Sequence, residues 1–227
     1  MVYSDISCKV NMQNLAEKFL NAADRERVEA AVRAAEKTTS GEIVPMIVSA
    51  SYHYPMADVL GGVSLALPIS ILLAYILGGL LWVGSSNMWV FMGVFCAVFI
   101  VCHRVVQRVW PLKRVFISDR EVAEEVREAA LIGFFKEELF RTRDATGILI
   151  FISVFEHKVW VLADRGINSK VETDRWDTVV AHVVDGIKKG RQADAICEAV
   201  DEVGKILTEH FPVKADDTDE LDNLIIS

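Results

Sequence analysis

The chain has 227 residues, a formal net charge of −8 and a hydrophobic fraction of 52%. This length allows one ordinary domain plus an anchor but not two full domains, and the acidic balance argues against nucleic acid as a partner. Because 25% of the residues are charged as well, the apolar residues must be segregated along the chain. The predicted organisation is an N-terminal extension (1–20), a first domain part (21–56), an apolar hairpin (57–110), a second domain part (111–211) and an acidic tail (212–227).

The first domain part predicts a helix followed by a strand. Residues 24–38 have apolar side chains at helical spacing, with Asn21 or Asp24 as the N-cap. Residues 42–50 have the composition of a short β-strand. Because Pro45 cannot donate a hydrogen bond to a neighbouring strand, we expect this strand to lie at a sheet edge or to bulge at Pro45.

The segment between Asp58 and Arg104 contains no charged residue. Two apolar stretches within it, 59–83 and 88–108, predict helices, and at about 1.5 Å per residue each is long enough to cross a hydrocarbon layer of ~30 Å. The alternative is a very hydrophobic hairpin buried in a soluble core. The length without charge favours two membrane spans.

Aromatic and basic residues mark the ends of the two predicted spans, as is typical of membrane interfaces. Basic residues cluster after the second span, while the turn between the spans carries no charge. The positive-inside rule therefore predicts a two-span protein of the inner (cytoplasmic) membrane with both termini in the cytoplasm. The predicted interface residues are Tyr54, Trp82, Trp89, Arg104, Arg108 and Trp110.

The second domain part predicts a helix, two strands and two further helices. The helix, 118–141, begins at a capping Ser118, and the almost wholly apolar strand 148–155 is typical of a central strand covered on both faces. The strand 158–163 returns beside it, and helices 174–189 and 191–210 follow. A tail rich in aspartate, 212–227, is expected to be loose. The order predicts an α/β fold: an α/β/α sandwich with a small mixed sheet, interrupted by a two-helix transmembrane hairpin.

Charged residues follow the third predicted strand and start the next helix, where a phosphate or metal site would lie. Asp164, Asp174 and Asp177 could supply oxygen ligands to Ca²⁺ or Mg²⁺, and Arg165 could bind a phosphate. The alternative is structural, because Asp174 and Asp177 also suit the N-terminus of a helix. No metal or other cofactor is expected outside this hypothesis, and the four cysteines are interpreted as reduced thiols because they show no paired spacing.

Several segments resemble the TPM domain family, in the branch whose domain is interrupted by two spans. They are Thr39-Ser40-Gly41-Glu42-Ile43-Val44, the strands after Thr146-Gly147 and at 158–163, Asp164-Arg165-Gly166-Ile167, Ile187-Lys188-Lys189-Gly190, Ala195-Ile196 and His210-Phe211-Pro212. The resemblance implies an α/β/α sandwich and admits varied functions, among them an acid phosphatase and factors in photosystem repair. Phosphatase members carry a second glycine in the turn where this chain has only Gly166.

These features favour a non-catalytic accessory or assembly subunit of a larger membrane complex. The hairpin would bind the helices of that complex within the lipid bilayer, aided by the glycine pairs at 61–62 and 78–79, and the cytoplasmic domain would bind a peripheral protein. The resemblance suggests a photosynthetic complex (photosystem or reaction centre) as the specific candidate. The alternative is an enzyme, a membrane-bound phosphatase that hydrolyses phosphoesters with Asp164, Arg165, Asp174 and Asp177.

Overall fold

A computed structural model describes residues 15–81, 87–213 and 221–227. These residues form two compact units. The α/β unit contains the described residues up to Tyr52 and from Ala123 onward, and the hairpin unit contains His53–Val122. The chain therefore leaves the α/β unit after its first strand and returns to it near the start of a long helix.

The elements of the α/β unit follow the predicted order. The N-cap of α1 is Asn21, whose side chain accepts a hydrogen bond from Asp24 N. In chain order the elements are α1 (Ala22–Glu36), β1 (Glu42–Val48), α5 (Asp119–Lys136, whose first turn lies in the hairpin unit), β2 (Gly147–Ser153), β3 (Lys158–Ala163), α6 (Arg165–Asn168), α7 (Thr173–Lys188), α8 (Gln192–His210) and β4 (Ile225–Ile226).

The first strand lies inside the sheet, so the prediction that Pro45 would place it at an edge or in a bulge is wrong. The strand order is β3-β2-β1-β4; β1 runs parallel to β2 and β4, and β2 runs antiparallel to β3. The β1–β2 register is unbroken through Pro45. On the other side, Ile47 O accepts a hydrogen bond from Ser227 N, but pairing with β4 begins only at Met46. Alternate residues of a strand direct their backbone groups to the same side, so Pro45 faces β4 as Ile47 does. Because Pro45 lies before the first residue that pairs with β4, its missing N–H removes no hydrogen bond between the two strands.

The sheet separates two apolar layers, which confirms the α/β/α sandwich. On one face, alternate strand residues such as Ile43, Ile148 and Ile150 form a buried cluster with α1, α7 and α8. On the other face lies α5: a Cβ on Gly133 would stand 2.8 Å from Met46 Sδ and 3.9 Å from Leu149. The strand β2 is buried along its whole length, as predicted for a central strand.

Two ends differ from the predicted elements. The helix α5 stops at Lys136 rather than at residue 141, because Glu138 takes a left-handed conformation (φ 57°) before a short 3₁₀ turn, Leu139–Arg141. The tail, expected to be loose, ends in β4, where Ser49 N donates to Ser227 O at 2.9 Å. The residues 214–220 of the predicted acidic tail lie outside the described ranges.

The hairpin unit consists of two long helices, α2 (Pro55–Leu81) and α3 (Asn87–Arg108), and the short α4 (Trp110–Arg114). The helix α2 continues through Pro68. Its small residues at four-residue spacing, Gly62, Ala66, Ser70 and Ala74, are buried. On α3, rings at the same spacing stack in succession, with centroids 5.6–6.1 Å apart: Phe91, Phe95, Phe99 and His103.

The small-residue row of α2 packs on the ring row of α3. A Cβ added at Gly62 would stand 3.0 Å from the Phe99 ring and 3.2 Å from His103 Cα. The pair Gly61-Gly62, predicted to admit helices of another protein, therefore packs within the hairpin itself. In contrast, a Cβ added at Gly79 would meet no atom of the described residues within 4 Å.

Candidate functional site

The predicted phosphate and metal residues begin at the turn after β3. Asp164 is the N-cap of α6, and its Oδ1 accepts a hydrogen bond from Arg165 N at 2.6 Å. Its Oδ2 is buried and has no hydrogen-bond partner among the described residues. The Arg165 side chain is exposed. The turn thus provides one carboxylate oxygen that no donor in the described part of the chain satisfies and one nearby guanidinium open to solvent.

The backbone at Ala145 approaches the single glycine of this turn too closely to leave room for a side chain. Gly166 N donates to Ala145 O at 3.1 Å, and a Cβ on Gly166 would stand 2.4 Å from that same oxygen. The turn borders a cavity of about 430 Å³, and Lys170 Nζ, on its wall, lies 4.2 Å from the centroid of the Phe211 ring. Asp164 and Gly166 therefore each have a structural role in this turn that does not depend on a ligand.

The structure does not gather the predicted carboxylates into a metal site. Asp174 lies in the first turn of α7, as the structural alternative expects, although the N-cap is Glu172. Within the described ranges, no group of three or more His, Cys, Asp or Glu side chains is arranged to hold a metal ion. Asp164, Asp174 and Asp177 thus do not fit a shared Ca²⁺ or Mg²⁺ site.

A groove runs along the free edge of β3, and we call it the β3 groove. It has a volume of about 480 Å³. One wall is α5, with Arg127 and Leu131; the opposite wall is α7, with Trp176 and Asp177. Its floor is the strand itself, residues 159–163. Of the four predicted site residues, Asp177 alone lines it.

The sequence interpretation missed a buried network at the carboxyl ends of β1 and β2. Glu156, assigned only to a tight turn, is 6% exposed. Its carboxylate accepts hydrogen bonds from Ser51 N at 3.0 Å and from the Ser153 hydroxyl, and Ser51 Oγ lies 3.0 Å from Ser153 Oγ. The network ties the ends of two parallel strands together. The one signal in the sequence was an acidic residue next to a long apolar strand.

A smaller cleft of about 380 Å³ opens beside this network. Apolar side chains such as Phe19 and Ile187 line it, and Lys158 and Lys188 lie at the same cleft. No ion pair joins either lysine to another described residue. This cleft lies at the end of β2 opposite to Asp164, so it is separate from the predicted site.

The hairpin unit contains a buried ion pair that the sequence did not reveal. Lys113 Nζ lies 2.9 Å from Asp58 Oδ1 and also donates to His53 O at 2.6 Å. The side chains of the pair are 9% and 11% exposed. His103 Nδ1 lies 3.1 Å from Asp58 O. These contacts join the start of α2 to the end of α3 and to α4.

The predicted interface residues are placed differently from one another. Trp89 is exposed at the start of α3, and Arg104 and Arg108 are exposed near its end, one turn apart. Tyr54 is 1% exposed, so its ring is packed inside the protein rather than presented to an interface. Trp82 and the Trp110 side chain lie outside the described residues.

Comparison with known proteins identifies the domain. Residues 114–206 match the model of the TPM domain. The NMR structure of the BA42 protein from the psychrophilic bacterium Bizionia argentinensis is similar in fold, with a TM-score of 0.55 and 22% sequence identity over 92% of this chain and 94% of that one. No curated protein matches the chain. The matched segment contains α5, both strands of the β2–β3 hairpin, α6, α7 and most of α8, so this part of the chain is similar to a TPM domain.

Proposed function

We propose that this protein is a membrane-anchored, non-catalytic accessory or assembly subunit of a larger membrane complex. Its hairpin inserts into the bilayer and binds the helices of that complex. Its α/β unit binds a peripheral protein on the cytoplasmic side.

The observation that carries this proposal is the exposed apolar surface of the hairpin unit. Both α2 and α3 are long and apolar enough to span a membrane, and only 28% and 11% of their most apolar segments are buried. Tyr75 and Leu80 on α2 and Trp89 on α3 are each more than 70% exposed. A core helix of a soluble protein would bury most of this surface, whereas lipid and neighbouring membrane helices can cover it.

The proposed orientation rests on charge. Arg104 and Arg108 are exposed at the end of α3, and Lys113 and Arg114 follow in α4. Under the positive-inside rule this end of the hairpin lies in the cytoplasm, and with it both termini. A photosynthetic complex is the specific candidate for the partner, and this choice rests on the varied roles of the family alone.

A membrane-bound phosphatase is the alternative function. It is favoured by the unpartnered Asp164 Oδ2 beside the exposed Arg165, since a guanidinium can stabilise the charge on phosphoryl oxygens. The phosphatase function is disfavoured because Asp164, Asp174 and Asp177 do not form a shared metal site in the described part of the chain.

The deciding experiment is gentle solubilisation of native membranes, followed by native electrophoresis and mass spectrometry of the co-migrating proteins. The accessory role predicts stoichiometric co-migration with integral membrane proteins and no turnover of a generic phosphoester by the purified chain. Phosphoester hydrolysis that is lost in Asp164→Asn would overturn it. The matched control is Asp144→Asn, which changes a carboxylate at the cavity that Gly166 of the same turn borders.

A further inference from the structure

The outer edge of β3 has backbone groups that no described strand pairs with. In the antiparallel β2–β3 register, Asp164 N donates to Gly147 O at 2.9 Å. Alternate residues along β3 therefore bond to β2, and the intervening ones, Val159, Val161 and Ala163, direct their N–H and C=O groups away from it. Asn168 Nδ2 donates to Ala163 O at 2.6 Å, which confirms this direction independently.

Asn168 bonds to the carbonyl of Ala163 alone among the three outward-facing residues. The N–H and C=O groups of Val159 and Val161 thus lie along the floor of the β3 groove, between the walls made by α5 and α7. An open edge of this kind is a template for one more strand. The two helices leave room on both sides for the side chains of that strand.

The two walls carry opposite charges. Arg127 lies on α5, on one face of the sheet, and Asp177 on α7, on the other. Neither forms an ion pair with another described residue. Successive residues of a strand point to opposite faces, so an acidic residue next to a basic one would meet Arg127 and Asp177 respectively.

The α7 wall also contains an unsatisfied donor. Trp176 is 6% exposed, and its indole Nε1 is buried without a hydrogen-bond partner among the described residues. Leu131 on the α5 wall and the exposed ring of Trp160 on the floor provide apolar surface. A peptide with apolar side chains around its charged pair would cover that surface.

We propose that the β3 groove binds an extended peptide segment of a partner protein, which adds to the sheet as a fifth strand and carries an acidic and a basic residue at adjacent positions. This inference rests on the proposed function, because it describes how the α/β unit binds its peripheral partner. It goes beyond that function by assigning the surface, the backbone conformation of the bound segment and its charge pattern.

The test uses the full chain in lipid nanodiscs and two synthetic heptapeptides of valine and threonine. One peptide carries glutamate and lysine at adjacent positions, and the other carries them separated by one residue, so that both charges point to the same face. Binding is followed by the amide signals of ¹⁵N-valine. The adjacent-charge peptide should shift the Val159 and Val161 signals and bind about tenfold more tightly than the other.

Two variants locate the binding. Val161→Pro removes only an outward N–H and should reduce affinity at least about tenfold, whereas Val161→Thr keeps the N–H and should bind as the native chain does. If Val161→Pro does not fold, the double variant Arg127→Gln/Asp177→Asn decides, because it removes both wall charges and should therefore abolish the preference for adjacent charges.

Three results would overturn the inference: no shift at Val159 and Val161, equal affinity for the two peptides, or undiminished binding by Val161→Pro. Co-migration of the native chain and of Val161→Pro with membrane proteins is measured separately on native gels. If Val161→Pro co-migrates and does not bind the peptide, the groove is independent of the hairpin's association. If the native chain binds the peptide but does not co-migrate with membrane proteins, the peptide-binding inference is supported and the proposed role in a membrane complex is wrong.

Discussion

In the α/β unit every residue of β1 and β2 is buried, whereas the two long helices of the hairpin unit expose many of their largest apolar side chains. The two regions use similar residues, chiefly valine, isoleucine and leucine. What differs is the covering: in the α/β unit helices lie on both faces of the sheet, while in the hairpin each helix covers one narrow row of the other. The apolar composition of a segment therefore shows that it must be covered, and the surrounding chain shows whether the protein itself covers it.

The contrast predicts that charge is tolerated inside the hairpin unit only as a pair. Lys113→Met leaves the Asp58 carboxylate buried without its partner, and we expect a loss of about 3–5 kcal/mol in the free energy of unfolding. The matched control is Arg114→Met, whose partner Asp119 is largely exposed and which should cost less than about 1 kcal/mol. Denaturant unfolding in micelles measures both, and equal effects of the two substitutions would show that the pair is not buried.

Two glycines, one in each unit, should respond differently to a methyl group. Gly166→Ala places a Cβ 2.4 Å from a backbone oxygen of the α/β unit, and we expect a loss of about 2–4 kcal/mol because that oxygen cannot move without its strand connection. Gly79→Ala, in the hairpin, meets no atom within 4 Å and should be neutral or slightly stabilising. Thermal unfolding of both variants is the measurement; a neutral Gly166→Ala would mean that the turn after β3 is looser than described.

The hydrogen-bond network of Glu156 should contribute less to stability than the Asp58–Lys113 ion pair or the close packing at Gly166. Glu156→Ala removes the acceptor for Ser51 N and for the Ser153 hydroxyl and is expected to cost about 1–3 kcal/mol, since buried donors lose their partner. Glu156→Gln keeps an acceptor oxygen and should lose less. The order of the two denaturation midpoints tests this, and an unaffected Glu156→Ala would remove the network from the account.

Thiol labelling compares the two units by a property other than stability, the access of water-soluble reagents to a cysteine in each. Burial raises the pKa of the Cys197 thiol in α8, so less thiolate is present at a given pH below that pKa, and alkylation should accelerate as pH rises from 7 to 9. Cys96 is exposed on α3, and lipid should shield it from a water-soluble maleimide at either pH. Variants that retain one cysteine, labelled in membranes, distinguish the two causes. Rapid pH-dependent labelling of Cys96 would place α3 in water.

The sequence predicted those elements whose pattern is local. The continuous apolar run of β2, the short return strand β3 and the helical spacing of α1 and α7 identified each of them to within two residues, and the charge-free run identified both long helices. The position of β1 could not be predicted in the same way. Whether the strand that contains Pro45 lies at a sheet edge depends on its pairing with β4, about 180 residues further along the chain. The residues near Pro45 in the sequence give no indication of that pairing.

The candidate site shows the same division between local and distant information. Asp164 and Gly166 were identified because their turn follows directly from the strand before it. In contrast, the pairing of Asp58 with Lys113 and of Ser51 with Glu156 joins residues 55 and 105 positions apart. The β3 groove likewise forms only when α5 and α7 lie on opposite faces of the same strand. Sequence spacing alone places none of these groups together.

In the proposed topology the hairpin crosses the membrane and returns, so that the α/β unit lies on the cytoplasmic side. Single cysteines introduced as Ser85→Cys, in the predicted turn between the spans, and Ser169→Cys, in the α/β unit, test it in intact cells with a membrane-impermeant maleimide. If the hairpin crosses in this way, Ser85→Cys should be labelled from outside and Ser169→Cys only after the membrane is opened. Labelling of Ser169→Cys in intact cells, or protection of Ser85→Cys until the membrane is opened, would contradict it.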